Sequence, residues 1–80
     1  MEMNWIEENN MLTRVFAFKN FSEALSFVNK VGEIAESQNH HPDIAIENYN
    51  HVRIATTTHD EGNVVTEKDY KLAGAVDTIQ

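Results

Sequence analysis

One long amphipathic segment, residues 22–39, restricts the fold of this chain more than any other feature. Apolar residues recur in and beside it at spacings of three and four, the pattern of a helix that buries one broad face. These residues are Phe21, Ala24, Leu25, Phe27, Val28, Val31, Gly32, Ile34 and Ala35. Pro42 predicts that the helix ends near Asn39, because the residue before a proline avoids the α region. Asn20 or Ser22 caps the start, and Ser22 is favoured because Glu23 then lies in the first turn.

Two pairs of strand-like segments flank this helix. Residues 3–8 and 11–18 form a hairpin joined by Asn9-Asn10, a pair that tolerates left-handed backbone. Residues 43–49 and 51–58 form a second pair, rich in β-branched side chains.

The two strands of the second pair differ in how regularly their side chains alternate. In residues 51–58 side chains alternate between the two faces of the strand, and the even-numbered ones suit the core while the odd-numbered ones face solvent or a ligand. The predicted core positions are Val52, Ile54, Thr56 and Thr58. Tyr49 has the wrong parity for its strand, which predicts a bulge or an extended turn near Glu47-Asn48. His51 is expected in the turn and solvated.

The last predicted element is a helix capped by Thr66, with Asp69 in the reciprocal position of a capping box. Its apolar face consists of Leu72, Ala73, Val76 and Ile79. The element order is therefore β-β-α-β-β-α. It predicts an α+β fold, with a four-stranded antiparallel sheet and two helices packed on one face.

Composition narrows the class of protein. Eighty residues without cysteine, carrying a formal net charge of −7, indicate one domain, without disulfides, in a reducing compartment. The acidity argues against nucleic acid or an anionic membrane as the main partner, because both require clustered lysine and arginine. The first residues do not resemble a signal peptide, and the longest apolar run, Val15 to Phe18, is far too short to span a bilayer. The expected location is the cytoplasm.

Histidines near the helix end are the main candidates for chemistry. Glu36 and His40 are four apart, so on a helix they share a face and the carboxylate could orient the imidazole. His41 follows directly, and His59 ends the fourth strand, so that the three imidazoles could meet. Imidazole is the side chain best suited to proton transfer near neutral pH. Two alternatives stay open, a polar cap at the helix end and a zinc site.

These residues, in order, resemble the signature of the pterin-4a-carbinolamine dehydratase family. The resemblance rests on residues 36–42, 49–50, 57–60 and 66–69, and residues 15–21 upstream are also similar. The family has the fold predicted above, normally preceded by another helix. The resemblance therefore implies a single domain over residues 1–80 that lacks this N-terminal helix.

The implied reaction is dehydration of 4a-hydroxytetrahydropterin to quinonoid dihydropterin, which recycles the cofactor of aromatic amino acid hydroxylases. By resemblance, His40 and His59 are general acids for the leaving hydroxyl, and His41 binds the ring and acts as a base. Glu36, Pro42, Thr57, Thr58, Asp60 and Asp69 are the supporting or substrate-binding residues. The resemblance implies no metal or other cofactor. It implies a homodimer or homotetramer and a functional link to a hydroxylase, with a non-catalytic dimerisation or assembly module as the alternative.

Overall fold

The computed structural model describes residues 4–80 and contains one four-stranded sheet and two α-helices. The elements are β1 (Ile6–Glu8), β2 (Met11–Ala17), α1 (Phe21–Gln38), β3 (Asp43–Glu47), β4 (His51–Thr56), a 3-10 turn (His59–Glu61) and α2 (Glu67–Thr78). The sheet order is β1-β2-β4-β3, and every neighbouring pair is antiparallel. The predicted fold class and element order are confirmed. Of the predicted first strand, Met3 lies outside the described residues.

Residues with left-handed backbone form both hairpin turns. Asn9 and Asn10 have φ of 55° and 62°, the left-handed conformations that a tight turn between twisted strands requires. Asn48 and Tyr49 have φ of 49° and 56°, so β3 ends at Glu47, two residues earlier than predicted. The anomalous parity of Tyr49 therefore reflects an extended turn, and the register of β3 with β4 runs without a bulge.

Helix α1 begins two residues earlier than the favoured cap predicts. Asn20, not Ser22, is the N-cap, and its side chain accepts a hydrogen bond from the Glu23 amide at 2.8 Å. The Glu23 carboxylate in turn accepts from the Lys19 amide at 3.1 Å. Asn20 is the better cap because this reciprocal pair satisfies two amides that the helix itself leaves unpaired.

The core lies between the sheet and the two helices. The sheet contributes Leu12, Phe16, Val52 and Ile54, and the helices contribute Ala24, Phe27, Val31, Ala35, Leu72, Ala73 and Val76. The apolar face of α1 is narrower than its periodicity predicts, because Phe21 and Leu25 remain 50% and 44% exposed. Neither helix in the described part of the chain is long and apolar enough to cross a membrane.

Trp5 closes one end of this core. Its ring is buried, and its indole Nε1 donates to the two carboxylate oxygens of Asp77 at 3.0 and 3.2 Å. Arg14 Nη1 donates to the same carboxylate at 2.7 Å. These contacts tie the segment before β1 to the last turn of α2, so the two ends of the described chain meet on one side of the domain.

Candidate active site

A buried carboxylate, that of Asp69, organises the site. Asp69 occupies the third position of α2 and completes the predicted capping box, since its Oδ2 accepts from the Thr66 amide at 2.9 Å. The side chain has no exposed surface. A buried charge of this kind is stable only when hydrogen-bond donors replace its lost hydration.

Four donors converge on this carboxylate. Thr56 Oγ1 donates to Oδ1 at 2.7 Å, and Thr58 Oγ1 donates to Oδ2 at 2.8 Å. The Thr66 amide also binds Oδ2, and the imidazole Nε2 of His40 binds Oδ1 at 2.6 Å. The end of β4, the segment after it, the start of α2 and the residues after α1 are therefore joined at one point.

The pKa of the Asp69 carboxyl is the result of two opposed effects. Burial raises this pKa, because the charged form loses its water. The hydrogen bonds, that from His40 foremost, lower it by more, and the net shift is downward from 3.8. Asp69 is therefore ionised at neutral pH, and an ionised carboxylate only accepts hydrogen bonds.

His40 reaches this carboxylate because α1 ends abruptly. Asn39 adopts the left-handed conformation, with φ of 52° and ψ of 43°, and the amides of Asn39 and His40 bind the Glu36 and Ala35 carbonyls. This reversal turns His40 toward α2, where its side chain is 12% exposed. Since Asp69 can only accept, Nε2 of His40 carries a proton, and Nδ1 is the nitrogen that can exchange one.

The predicted pairing of Glu36 with His40 is wrong. Glu36 contacts Nε2 of His41 instead, and both side chains are largely exposed. Helical periodicity fails here because the left-handed Asn39 ends the helix between Glu36 and His40. The expectation that Glu36 orients an imidazole is consistent with this contact, with His41 as the imidazole.

His59 begins the 3-10 turn and is exposed. Its Nδ1 lies 2.7 Å from Oδ1 of Asn63, so with the amide oxygen as acceptor Nδ1 carries the hydrogen and Nε2 is free. His59 lines a groove of about 350 Å³ together with Asn9, Asn10, Met11, Asp43, Thr57 and Asn63. Thr57 is buried and donates to the Asn10 carbonyl at 2.8 Å, which holds this wall of the groove in place.

A second depression lies beside His40. It measures about 320 Å³ and is lined by Gln38, Asn39, His40, Lys68 and Lys71. Both depressions have a volume suited to a small organic ligand. His40 and His59 therefore line different depressions. A third depression, of about 440 Å³, lies along β1 and β2 away from the histidines.

The other predicted residues have distinct surroundings. Asp60 is exposed and its carboxylate lies 3.9 Å from Lys68 Nζ, so within residues 4–80 its partner is a lysine rather than a histidine. Pro42 is half-buried directly before β3. The prediction that His51 is solvated in a turn is wrong, because it is the half-buried first residue of β4, paired with Ala17 and Glu47 across the sheet.

Sequence reasoning missed Thr56, Asn63, Lys68 and Lys71 as residues around the histidines. A signal existed for Thr56, since a hydroxyl at a core parity of β4 requires a buried partner. For the zinc alternative, residues 4–80 contain no cluster of three or more histidine and acidic side chains placed to hold a metal ion.

The fold and site together define a small α+β domain that presents histidines anchored by hydrogen bonds. Residues 1–79 match the family described as pterin 4 alpha carbinolamine dehydratase. The chain therefore belongs to this family, as the resemblance predicts, and the enzyme class is that of a hydro-lyase.

Individual relatives agree with the family match. A protein of Chloroflexus aurantiacus, named provisionally as a pterin-4-alpha-carbinolamine dehydratase, is 51% identical over 76 residues, which cover 95% of this chain and 80% of the relative. A similarly named protein of Sulfolobus acidocaldarius is 47% identical over 76 residues, which cover 95% of this chain and 81% of the relative.

Two solved structures share the fold. The transcriptional coactivator/pterin dehydratase from Brucella melitensis matches with a TM-score of 0.85 and 37% identity. The match covers 95% of this chain and 81% of the Brucella chain. A pterin dehydratase-like protein described as a RuBisCO assembly factor of the α-carboxysome matches with a TM-score of 0.77 and 24% identity. The match covers 95% of this chain and 88% of the chain of that protein. The second likeness concerns the fold alone.

Proposed function

We propose that this protein dehydrates 4a-hydroxytetrahydropterin to quinonoid dihydropterin and water, by acid–base catalysis with His40, His41 and His59. The observation that carries the proposal is the contact of His40 with the buried Asp69 carboxylate at 2.6 Å. It fixes one ring nitrogen and leaves the other free to transfer a proton.

The reaction requires modest chemistry. A hydroxyl leaves C4a as water, so an acid should protonate it, and a ring N–H loses its proton to a base. In the proposal, Nδ1 of His40 and Nε2 of His59 are the acid positions and serve opposite faces of the pterin, each from its own depression. The other nitrogen of each ring is hydrogen-bonded, to Asp69 in His40 and to Asn63 in His59. His41, held by Glu36, binds the pterin ring and accepts its proton. Each such group contributes about 10²–10⁴ in rate.

The remaining predicted residues support this machinery. Asp69 orients His40 through its Nε2, and Thr58 donates a hydrogen bond to Asp69. Thr57 forms part of the groove beside His59. Pro42 holds the chain after the two adjacent histidines, and Asp60 faces Lys68 at the rim.

A purified-protein assay tests the proposal. Decay of the 4a-carbinolamine absorbance is followed with wild type, His40→Ala and His59→Ala, and with His51→Gln as a matched control whose imidazole lies in β4 away from both depressions. We expect both alanine variants to be slowed by about 10²-fold or more and His51→Gln to match wild type. Wild-type rates in both alanine variants would refute the acid assignment.

A non-catalytic assembly role is the second candidate, and it has its own support. The register places Ile6 and Val15 on the sheet face opposite the helices, where they are 62% and 51% exposed, and α1 exposes Phe21 and Leu25. Apolar surface of this kind suits association of copies, so we propose a homodimer or homotetramer. A wild type that associates but shows no dehydratase activity would favour this role.

The wider setting is part of the proposal. The pterin is the only partner that the chemistry requires, and a cytoplasmic aromatic amino acid hydroxylase would supply the 4a-carbinolamine. Sedimentation velocity at several concentrations measures the oligomer, and a coupled assay with a purified hydroxylase measures recycling of the tetrahydropterin.

A further inference from the structure

Thr56 is a polar residue in an apolar position. It ends β4 on the parity of Val52 and Ile54, and its side chain has no exposed surface. Its Oγ1 donates to Oδ1 of Asp69 at 2.7 Å. A valine would fill this site with nearly the same volume, so packing alone does not account for the hydroxyl.

The hydroxyl of Thr56 shares its acceptor with the imidazole of His40. Both donate to Oδ1 of Asp69, at 2.7 and 2.6 Å, while Thr58 and the Thr66 amide occupy Oδ2. Two donors on each oxygen fix the plane of the carboxylate. Without Thr56, Oδ1 would have His40 as its one hydrogen-bond donor, and the rest of the fold would hold the carboxylate through Oδ2 alone.

We propose that Thr56 is a positioning residue of the active site, whose hydroxyl fixes the Asp69 carboxylate so that it holds His40 with Nε2 protonated and Nδ1 available to the substrate. The inference rests on the proposed dehydratase function. Thr56 acts through Asp69 and His40, and lies in the sheet beneath them rather than in the depression that His40 lines.

Other charged groups near His40 are unchanged by substitution at Thr56. Lys68 and Lys71 line the same depression from α2, and Glu36 with His41 lies on the adjacent turn of chain. An altered pH–rate profile in a Thr56 variant is therefore attributable to the Asp69–His40 pair.

The test compares Thr56→Val, which removes the hydroxyl, with Thr56→Ser, which keeps it. Thr78→Val is the matched control, because its hydroxyl donates to the Ala75 carbonyl at the far end of α2. We expect Thr56→Val to lower kcat about tenfold, with KM within about twofold, and Thr56→Ser and Thr78→Val to remain near wild type. A Thr56→Ser protein as slow as Thr56→Val overturns the proposal, as does a Thr56→Val protein with wild-type kcat.

Long-range ¹⁵N–¹H NMR correlations of the His40 ring give a second readout that requires no substrate. Wild type and Thr56→Ser should show the Nε2–H tautomer in the neutral ring, and Thr56→Val should show a mixture. An unchanged tautomer in Thr56→Val overturns the proposal. If wild type fails to dehydrate the pterin, the proposed function fails, while these spectra still decide whether Thr56 orients His40. Should valine prevent folding, Thr56→Ala against Thr56→Ser gives the same comparison.

Discussion

The imidazole Nε2 of His40 lies 2.6 Å from Oδ1 of Asp69, across 29 positions of sequence. This contact joins the chain after α1 to the first turn of α2. The same carboxylate caps α2 through Thr66. The position of His40, a proposed acid, and the stability of the second helix therefore depend on one side chain, and changes at Asp69 should affect both.

Asp69→Asn should reduce activity and stability together. The amide has one acceptor oxygen in place of two, so at least one of the four buried donors loses its partner. A buried donor without a partner costs about 1–3 kcal/mol, and loss of the charge removes the acceptor that orients His40. We expect an unfolding free energy lower by about 2–4 kcal/mol and kcat lower by about tenfold or more, measured by urea denaturation and by the dehydratase assay.

Asp60→Asn is the control for this substitution. Its carboxylate is 82% exposed and lies 3.9 Å from Lys68, so the stability change should stay within about 0.5 kcal/mol. Equal losses of stability in the two variants would contradict the role assigned to the buried carboxylate.

Stability should also fall in acid in a manner that depends on Asp69. The folded-state pKa of Asp69 is lowered, so the unfolded chain binds this proton first as the pH falls. The contribution of the ionised Asp69 carboxylate to the unfolding free energy is fully present above the pKa in the unfolded chain, near 4. It is lost as the pH falls through the pKa in the folded protein. The difference in unfolding free energy between wild type and Asp69→Asn should narrow steadily below about pH 4. Urea denaturation of both proteins at pH values from about 5 to about 2.5, on either side of the unfolded pKa, measures this difference. A difference that widens toward acid refutes the prediction.

Asn39 should tolerate glycine better than alanine. Its φ of 52° and ψ of 43° lie in the left-handed region, where a Cβ costs about 1 kcal/mol and glycine none. Asn39→Ala should lower the thermal midpoint of unfolding and the dehydratase rate. Alanine is strained in the left-handed backbone that turns His40 toward Asp69. Asn39→Gly should change the unfolding free energy by at most about 0.5 kcal/mol and leave the rate near that of wild type.

Asn29→Ala is the control for this prediction. Asn29 lies exposed within α1, where alanine is the better helix former. Its thermal midpoint should stay level or rise. A loss equal to that of Asn39→Ala would show that the left-handed cap is not the cause.

Hydropathy patterns predict most of this fold because the two central strands, β2 and β4, and both helices bury regular faces. The buried residues of these elements, such as Leu12 in β2, Val52 in β4, Phe27 in α1 and Leu72 in α2, recur at the strand or helix spacing that the sequence predicts. The errors occur where periodicity ends. Residues with left-handed backbone follow both elements, Asn39 after α1 and the pair Asn48-Tyr49 after β3. Their exact positions depend on which groups satisfy the last backbone amides and carbonyls.

The candidate site shows the same division. Asp69 could be found as the reciprocal member of a capping box, and the histidines stand out by their spacing and by resemblance. The pairing of His40 with Asp69 rather than Glu36 depends on long-range contacts, which helical spacing does not encode. Thr56 could be recognised as buried, although its partner lies thirteen residues away and only the packed structure identifies it.

Glu36→Gln tests the exposed half of the site and should behave differently from Asp69→Asn. Glu36 and His41 are 77% and 58% exposed, so water screens their interaction and its loss should cost at most about 1 kcal/mol of stability. Activity should fall by about two- to fivefold, the range that 0.5–1 kcal/mol supplies, because His41 loses its orienting carboxylate. Glu33→Gln, one turn earlier on α1, should leave the rate unchanged. A loss of activity as large as that of Asp69→Asn would mean that Glu36 acts on the substrate directly rather than through His41.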